Sequence, residues 1–227
     1  MKRDKSHWLA IDTSTRNCSV AIFREADCLC AHDEHDEQSY NHAERLHSIV
    51  REVLDDVKLQ FNDLSAILVG DGPGSYTGLR IGVSAAKGYA YAANIPLYAS
   101  PSLDALHAFW LVNGKGEDHC VTAIDARRME AFVKVFSETN PIATTPMIFD
   151  ENTFSDWHGR IAIVGDAAAK LEGLWPKEKV TTYQTMPSAQ YFGKLGWEKI
   201  SNGEAVDLAY YTPTYGKAFV AGKPKAR

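Results

Sequence analysis

The pattern of apolar and polar residues predicts alternating strands and helices in the first half of the chain. Residues 8–11 form an unbroken apolar run, as expected of a strand that is covered on both faces. Residues 18–23 and 27–35 follow after short polar turns, so we expect three strands joined as an antiparallel meander. Two further strands are predicted at 66–69 and 95–100.

Three helices are predicted among these strands. Apolar residues within 42–57 recur at the spacing of one helical face, and Asn41 with Glu44 would form a capping box at the start. Residues 78–94 are apolar or small around almost the whole circumference of the second helix, and Ser102 would cap the third. The predicted order of elements in the first half is therefore βββαβαβα.

A polar, glycine-containing break at 113–118 predicts a boundary between a first lobe, residues 1–112, and a smaller second lobe, residues 113–227. Strands are expected at 120–125, 131–136, 147–149 and 161–164, and helices at 167–174 and 188–200. The sequence Ala-Ile-Asp recurs at 10–12 and 123–125, so the second lobe is interpreted as a degenerate copy of the first. The sequence leaves open whether the C-terminal segment packs back on the first lobe.

Composition and charge narrow the class of protein. The 227 residues are 45% apolar, which is enough for a substantial core. A net charge of −5 disfavours tight nucleic-acid binding by this chain alone. The N-terminal apolar run is too short for a signal peptide or a membrane span, so we expect a soluble, cytoplasmic protein.

The cysteines give no framework for a disulfide or a zinc ion. Their spacing fits neither pattern, and we expect all four to be reduced core residues. They are Cys18, Cys28, Cys30 and Cys120.

The most informative pattern is a glycine-rich segment between the strand at 66–69 and the helix at 78–94. Gly72 and Gly74 permit positive φ and close approach of another group, Pro73 stiffens the loop, and Ser75 or Thr77 can cap the helix. The segment lacks the Gly-Lys-Ser/Thr ending of a phosphate loop and the glycine spacing of a dinucleotide fold. We therefore interpret it as a structural loop that positions the helix.

Four segments together resemble one known family. Residues 9–15 with 18–21 closely resemble the opening motif of the TsaB (YeaZ) family, and residues 72–82 resemble its signature. Residues 42–46 and 123–127 resemble its first-helix and second-lobe motifs, and Pro213-Thr214-Tyr215 adds a short match near the C-terminus. The resemblance implies an α/β, two-lobed actin/Hsp70/sugar-kinase-like (RNase H-like) fold with mixed sheets flanked by helices. It also implies a role in making threonylcarbamoyladenosine, the modified adenosine beside the anticodon of tRNA, as the non-catalytic scaffold of a TsaD-type transferase.

The same resemblance implies the partners. They are a TsaD-type catalytic paralogue, a TsaE-type ATPase, a second copy when the chain is alone, and tRNA only through the complex. Pairing is expected through the first lobe, because a helix that is apolar or small all round needs a second covering. We expect a bulky residue at Gly82 to abolish pairing with little loss of folding. The predicted interface residues are His42, Arg45, Leu46, Ile49, Val53, Gly78, Gly82, Ala85, Ala86 and Tyr89.

An ATP site in this superfamily uses one phosphate loop from each lobe. Asp12-Thr13-Ser14 has the position of the first loop, where Asp12 would hold a magnesium-bound water. Asp125 marks the second, but the glycines that would bring backbone N–H groups to a phosphate are missing there. We therefore predict a vestigial nucleotide site and no cofactor, with ATP and magnesium expected only at the interface of the complex.

Two enzyme alternatives remain open at this point. An active ATP-dependent transferase would need a second phosphate loop, and a peptidase would need a base beside Ser75; the sequence identifies neither. Catalytic residues are therefore predicted to be absent. No metal site is predicted either, because His42 and His47 are five residues apart and so do not share a helical face.

Overall fold

The computed structural model describes residues 6–35 and 41–217. The order βββαβαβα is confirmed in the first half. Its elements are β1 (His7–Asp12), β2 (Asn17–Arg24), β3 (Asp27–His35), α1 (His42–Asp56), β4 (Ala66–Gly70), α2 (Tyr76–Ala93), β5 (Leu97–Ser100) and α3 (Ser102–Asn113), with a short 3-10 turn at Phe61–Asp63.

The first sheet has the strand order β3-β2-β1-β4-β5. The first three strands pair antiparallel, as the meander predicts, and β1, β4 and β5 run parallel. Every residue of β4 is buried, because helices cover both faces of the parallel strands. The apolar stripes of α1 and α2 pack on one face, where residues such as Leu46 and Val83 meet Ile11 and Val69.

The second sheet repeats the topology of the first. Its elements are β6 (His119–Asp125), β7 (Glu130–Phe136), β8 (Ile142–Ile148), β9 (Ile161–Gly165), α4 (Ala168–Leu171) and β10 (Val180–Gln184), followed by a 3-10 turn at Ala189–Phe192 and α5 (Gly193–Asn202). The strand order β8-β7-β6-β9-β10 matches the first sheet strand for strand. This match supports the interpretation of the second lobe as a copy of the first.

The copy has lost most of its helices on one face. Residues 149–160, all of which the structure describes, connect β8 to β9 without a helix, where the first lobe has α1. The four-residue α4 stands where the first lobe has the 18-residue α2. A strand at 180–184 was not predicted, because its pattern of half-buried polar residues carries no strong apolar signal.

The two lobes exchange their last helices. Leu103 and Leu106 of α3 pack on the second sheet with Ile124. In return, the segment 189–202 packs on the first sheet, where Phe192 joins a buried cluster around Trp8. The chain after Gln184 therefore returns to the first lobe, which is the arrangement that the sequence leaves open for the C-terminal segment.

The predicted capping box of α1 is wrong. Asn41 occupies the position before the helix, but its side chain forms no cap hydrogen bond within the described residues of α1. Its amide instead donates to Glu34 Oε1 at 3.2 Å, which ties the helix start to β3.

The cysteine prediction is correct for two residues and wrong for two. Cys18 and Cys120 are buried, whereas Cys28 is exposed and Cys30 is half-buried, because β3 is an edge strand of the first sheet. All four are free thiols.

Across the described ranges, the helices are too short or too polar to cross a lipid bilayer.

Candidate functional site

The glycine-rich loop lies against the β1–β2 turn. Gly72 has φ of +112°, and a Cβ at Gly74 would lie 2.1 Å from Ser14 O, so both positions require glycine. Ser75 caps α2, as predicted, because its Oγ accepts the Gly78 N–H at 3.2 Å. Thr77 is exposed in the first turn of the helix. The loop thus has the structural role that its sequence predicts.

Two glycines bring α2 directly onto the turn. Thr13 Oγ1 donates to Gly78 O at 2.8 Å, and a Cβ at Gly82 would lie 2.2 Å from the same Oγ1. Ser75 N donates to Ser14 O at 2.6 Å. The turn and the helix therefore have no space between them for a ligand.

His42 fastens the other side of the turn. Its buried Nε2 donates to Thr15 O at 2.7 Å, since a carbonyl oxygen can only accept. Burial lowers the pKa of His42, so the imidazole is held in its neutral form. This residue was predicted at the partner interface, but the structure assigns it to the internal support of the turn.

Asp12 is fully buried at the end of β1. Its Oδ1 accepts hydrogen bonds from Ser14 N at 2.9 Å and Ser14 Oγ at 2.6 Å, and its Oδ2 accepts from Ser102 Oγ at 2.6 Å. Burial raises the pKa of Asp12, and these hydrogen bonds oppose the rise. The expected magnesium-bound water does not fit this geometry, because both oxygens are enclosed and bonded by the protein.

The backbone N–H groups at the second predicted phosphate loop are also hydrogen-bonded within the chain. Asp125 N donates to Asp166 Oδ1 at 2.8 Å, Ala126 N donates to Glu130 O at 3.1 Å, and Arg127 N donates to Asp125 Oδ1 at 2.7 Å. A phosphate loop presents such N–H groups unpaired to its ligand. The residues of the predicted nucleotide site therefore do not fit ATP and magnesium.

A cleft of about 720 Å³ separates the lobes at this point. Ser14 and Thr77 line its first-lobe wall, and Asp125 and Asp166 line the opposite wall. Burial and the neighbouring Asp125 raise the pKa of Asp166 to about 6, with the hydrogen bond from Asp125 N and the charge of Lys170 opposing them. The same cleft is also lined by Arg16, Arg127 and Lys217, and Lys170 pairs with Asp125, so the charges around the cleft are mixed.

The C-terminal segment closes over the glycine-rich loop. Asp71 Oδ2 accepts hydrogen bonds from Tyr211 OH at 2.5 Å and Thr214 Oγ1 at 3.1 Å, and Asp71 O accepts one from Thr214 N at 2.9 Å. Burial raises the pKa values of both Asp71 and Tyr211. Sequence reasoning missed this contact, although its two halves, the loop and the motif at 213–215, were both noted.

Seven of the ten predicted interface residues are buried in the chain itself. They lie on the faces of α1 and α2 that pack against the first sheet and the β1–β2 turn, so this part of the prediction is corrected. The seven are His42, Leu46, Ile49, Val53, Gly78, Gly82 and Ala86.

The other three are half-buried at the helix surface. Arg45 forms a bidentate ion pair with Glu34, and Tyr89 OH bonds to His47 Nδ1. Ala85 belongs to a row of mostly small residues that we call the outer face of α2. That face consists of Ile81, Ser84, Ala85, Gly88 and Ala92, which are exposed or half-buried.

Ser75 has no partner that would make it a nucleophile. Among the described residues, its hydroxyl bonds to the helix N–H of Gly78 and to no histidine or carboxylate. This arrangement is a helix cap and gives no support to peptidase chemistry.

Two sheets of one topology facing each other across a cleft define the class of two-lobed actin/Hsp70/sugar-kinase-like proteins. A solved structure, YeaZ from Pseudomonas aeruginosa, superposes with a TM-score of 0.77 at 28% identity, over 92% of this chain and 99% of that one. Residues 36–180 match the family model described as TsaD, tRNA N6-adenosine threonylcarbamoyltransferase.

Two curated relatives carry the name of one family. The Escherichia coli tRNA threonylcarbamoyladenosine biosynthesis protein TsaB is 31% identical over 95% of this chain and 96% of its own length. The Bacillus subtilis protein of the same name is 36% identical, over 66% of this chain and 63% of its own length. The chain belongs to the TsaB family.

The contact between Gly82 and Thr13 predicts that alanine substitutions at Gly82 and Gly88 of α2 have opposite effects on stability. Gly82→Ala should lower the free energy of unfolding by about 1–3 kcal/mol, because its Cβ would overlap Thr13 Oγ1. Gly88→Ala should raise it by up to about 1 kcal/mol, since its Cβ meets no described atom within 4 Å. Urea unfolding of both variants measures the difference, and equal stabilities would contradict the contact.

The environment of Asp166 predicts a pH-dependent stability. The pKa of Asp166 in the folded protein is about 6, above the ordinary value of 3.8. Ionised Asp166 therefore lowers the free energy of unfolding, fully above about pH 6 and by less as the pH falls towards 3.8. Asp166→Asn should therefore stabilise the protein by an amount on the order of 1–3 kcal/mol at about pH 7.5 and by less at about pH 4.5. Denaturant unfolding at both pH values checks this, with the exposed Asp27→Asn as a control that should change neither value.

Proposed function

We propose that this chain is the non-catalytic scaffold subunit of the assembly that makes threonylcarbamoyladenosine beside the anticodon of tRNA. The names of its relatives and the match to the transferase family model support this role. Its catalytic partner would be a TsaD-type paralogue of the same fold. One observation carries the proposal that catalysis is absent: the N–H group of Ser14 at the first phosphate position, and those of residues 125–127 at the second, bond to the protein's own acceptors.

The same observation argues against an active ATP-dependent transferase. ATP binding would require Ser14, Asp125 and Arg127 to give up hydrogen bonds of 2.7–2.9 Å before their N–H groups could meet a phosphate. The buried Asp12 would also have to leave Ser102 before it could approach a magnesium-bound water. We therefore expect ATP and magnesium, if they bind, only at the interface of the complex.

The outer face of α2 is the proposed contact with the partner. Its side chains are small, and no described atom lies within 4 Å of a Cβ built on Gly88, so a partner helix can approach closely. Tyr91, which is 80% exposed, lies at one end of the face. Arg45 of α1 is half-exposed and paired with Glu34 of β3, and it is kept as a polar residue of the first-lobe surface. The interface residues retained from the sequence prediction are Arg45, Ala85 and Tyr89.

The remaining partners follow from the same assignment. A TsaE-type ATPase would join the complex, and tRNA would bind mainly to the partner or to the composite surface, because this chain has a net charge of −5. When the chain is alone, the outer face of α2 would pair with a second copy. The assembly would work in the cytoplasm, where tRNA is modified.

A charged side chain on the outer face of α2 should abolish pairing without unfolding the chain. Gly88→Arg has room in the free chain, but its guanidinium would lie where a partner helix packs, so co-purification with the TsaD-type paralogue should fall at least about tenfold. The matched control is Ala143→Arg, at an exposed position of β8 in the second lobe.

Circular dichroism and thermal melting would verify that both variants are folded. Wild-type levels of co-purification by Gly88→Arg would exclude α2 from the interface. Loss of pairing in Ala143→Arg, with pairing kept by Gly88→Arg, would place the interface on the second lobe.

The isolated chain should not turn over ATP. Steady-state phosphate release should stay at the background level, because the phosphate positions are occupied by protein hydrogen bonds. Asp125→Asn is the informative comparison, since this half-exposed residue can change without disturbing the buried Asp12. Turnover that is lost in Asp125→Asn would favour the active transferase instead.

A further inference from the structure

Three side chains of different chemistry converge between the edge strand β3 and the second half of α1. Cys30 Sγ lies 3.6 Å from Asp56 Oδ2, and His32 Nε2 lies 2.9 Å from the same oxygen. One donor atom from each residue lies within 4.8 Å of the other two. We call these residues the β3–α1 cluster.

The alternation of side chains along β3 and the position of α1 above that strand bring these residues together. Cys30 and His32 are two apart on β3 and therefore point to the same face of the sheet. Their partners on β2 are Ile22 and Val20, which pack in the core beneath α1, so this face is the one that α1 covers. Asp56 lies in the last turn of α1, directly above that face.

The donor set suits zinc. Thiolate sulfur, imidazole nitrogen and carboxylate oxygen are the protein ligands of this ion, and four-coordinate zinc places its ligands about 3.3–3.7 Å apart. The 3.6 Å between Cys30 Sγ and Asp56 Oδ2 falls within that range. The 2.9 Å between His32 Nε2 and the same oxygen is shorter, and rotation of the exposed Asp56 carboxylate can lengthen it. One thiolate and one carboxylate together balance the charge of a divalent ion.

Glu52 supplies the support that a zinc-bound histidine normally has. Its Oε2 lies 3.4 Å from His32 Nδ1, one helical turn before Asp56. A carboxylate that accepts the Nδ1 proton fixes the ring so that Nε2 is the ligand nitrogen. The other oxygen of Glu52 faces Arg45 at 3.6 Å, and Arg45 is itself paired with Glu34.

We propose that Cys30, His32 and Asp56 form a zinc-binding site, with Glu52 orienting His32 and a water molecule as the fourth ligand. A surface ion pair between His32 and Asp56 alone would contribute little and would give no role to the converging thiol. On binding, zinc displaces the Cys30 Sγ proton to solvent and forms the metal–sulfur bond. The bound ion would fasten the edge strand β3 to α1, the helix that lies beside the proposed partner face.

Cobalt(II) reports directly on a cysteine ligand. The purified full chain, freed of metal by a chelator, should take up cobalt with a thiolate-to-cobalt charge-transfer band in the near ultraviolet, and zinc should then displace the cobalt. Cys30→Ser should remove the band. His32→Ala should weaken zinc binding at least about tenfold in competition with a chromophoric chelator, and Glu52→Gln should weaken it by about tenfold.

The strand β3 offers matched controls for both residue types. Cys28→Ser and His35→Ala change exposed residues of β3 that lie outside the cluster, so each should keep the band and the wild-type zinc affinity. Circular dichroism would show that every variant is folded.

Three results would overturn the site. They are a wild-type chain without the cobalt band, a band that Cys28→Ser removes, and a zinc affinity that Cys30→Ser and His32→Ala leave unchanged. Because these readouts need neither the partner nor tRNA, they are independent of the proposed scaffold function.

Discussion

The first lobe depends on one close contact, the packing of α2 against the β1–β2 turn. Thr13 occupies the space that side chains at Gly78 and Gly82 would fill, and its hydroxyl bonds to the backbone of the helix. His42 holds the same turn from α1 through Thr15 O. Because the turn occupies the place of a phosphate loop, the contact that stabilises the lobe also engages backbone groups that a phosphate would need. It also sets which side of α2 is left for a partner.

The two lobes have kept the same sheet and diverged in their helices. The strand orders match, yet the second lobe has a loop in place of α1 and a single helical turn in place of α2. A helix pair with an accessible face therefore exists in the first lobe, while the second lobe contributes Asp125, Arg127 and Asp166 to the wall of the cleft. This asymmetry is consistent with a protein whose surface, rather than its cleft, carries the function.

Sequence patterns predicted the elements of the first lobe because those patterns are local. Apolar periodicity showed which face of α1 and α2 is buried, but it did not show whether that face meets the chain's own sheet or a partner, and so Leu46, Gly82 and Ala86 were assigned to the wrong surface. The return of 189–202 to the first sheet and the bond between Asp71 and Tyr211 join residues that are distant in sequence, and spacing rules do not detect such contacts. The β3–α1 cluster was missed for the same reason.

The exchange of helices between the lobes has a consequence for the order of events during synthesis. The second sheet is made of consecutive segments, 119–184, and can close as soon as they leave the ribosome. The first sheet must wait for Phe192 and α5, so the lobe that is translated first finishes folding last. Until then Trp8 and Phe23 lack the segment that covers them, and the nascent chain exposes an apolar aromatic surface that is prone to aggregation.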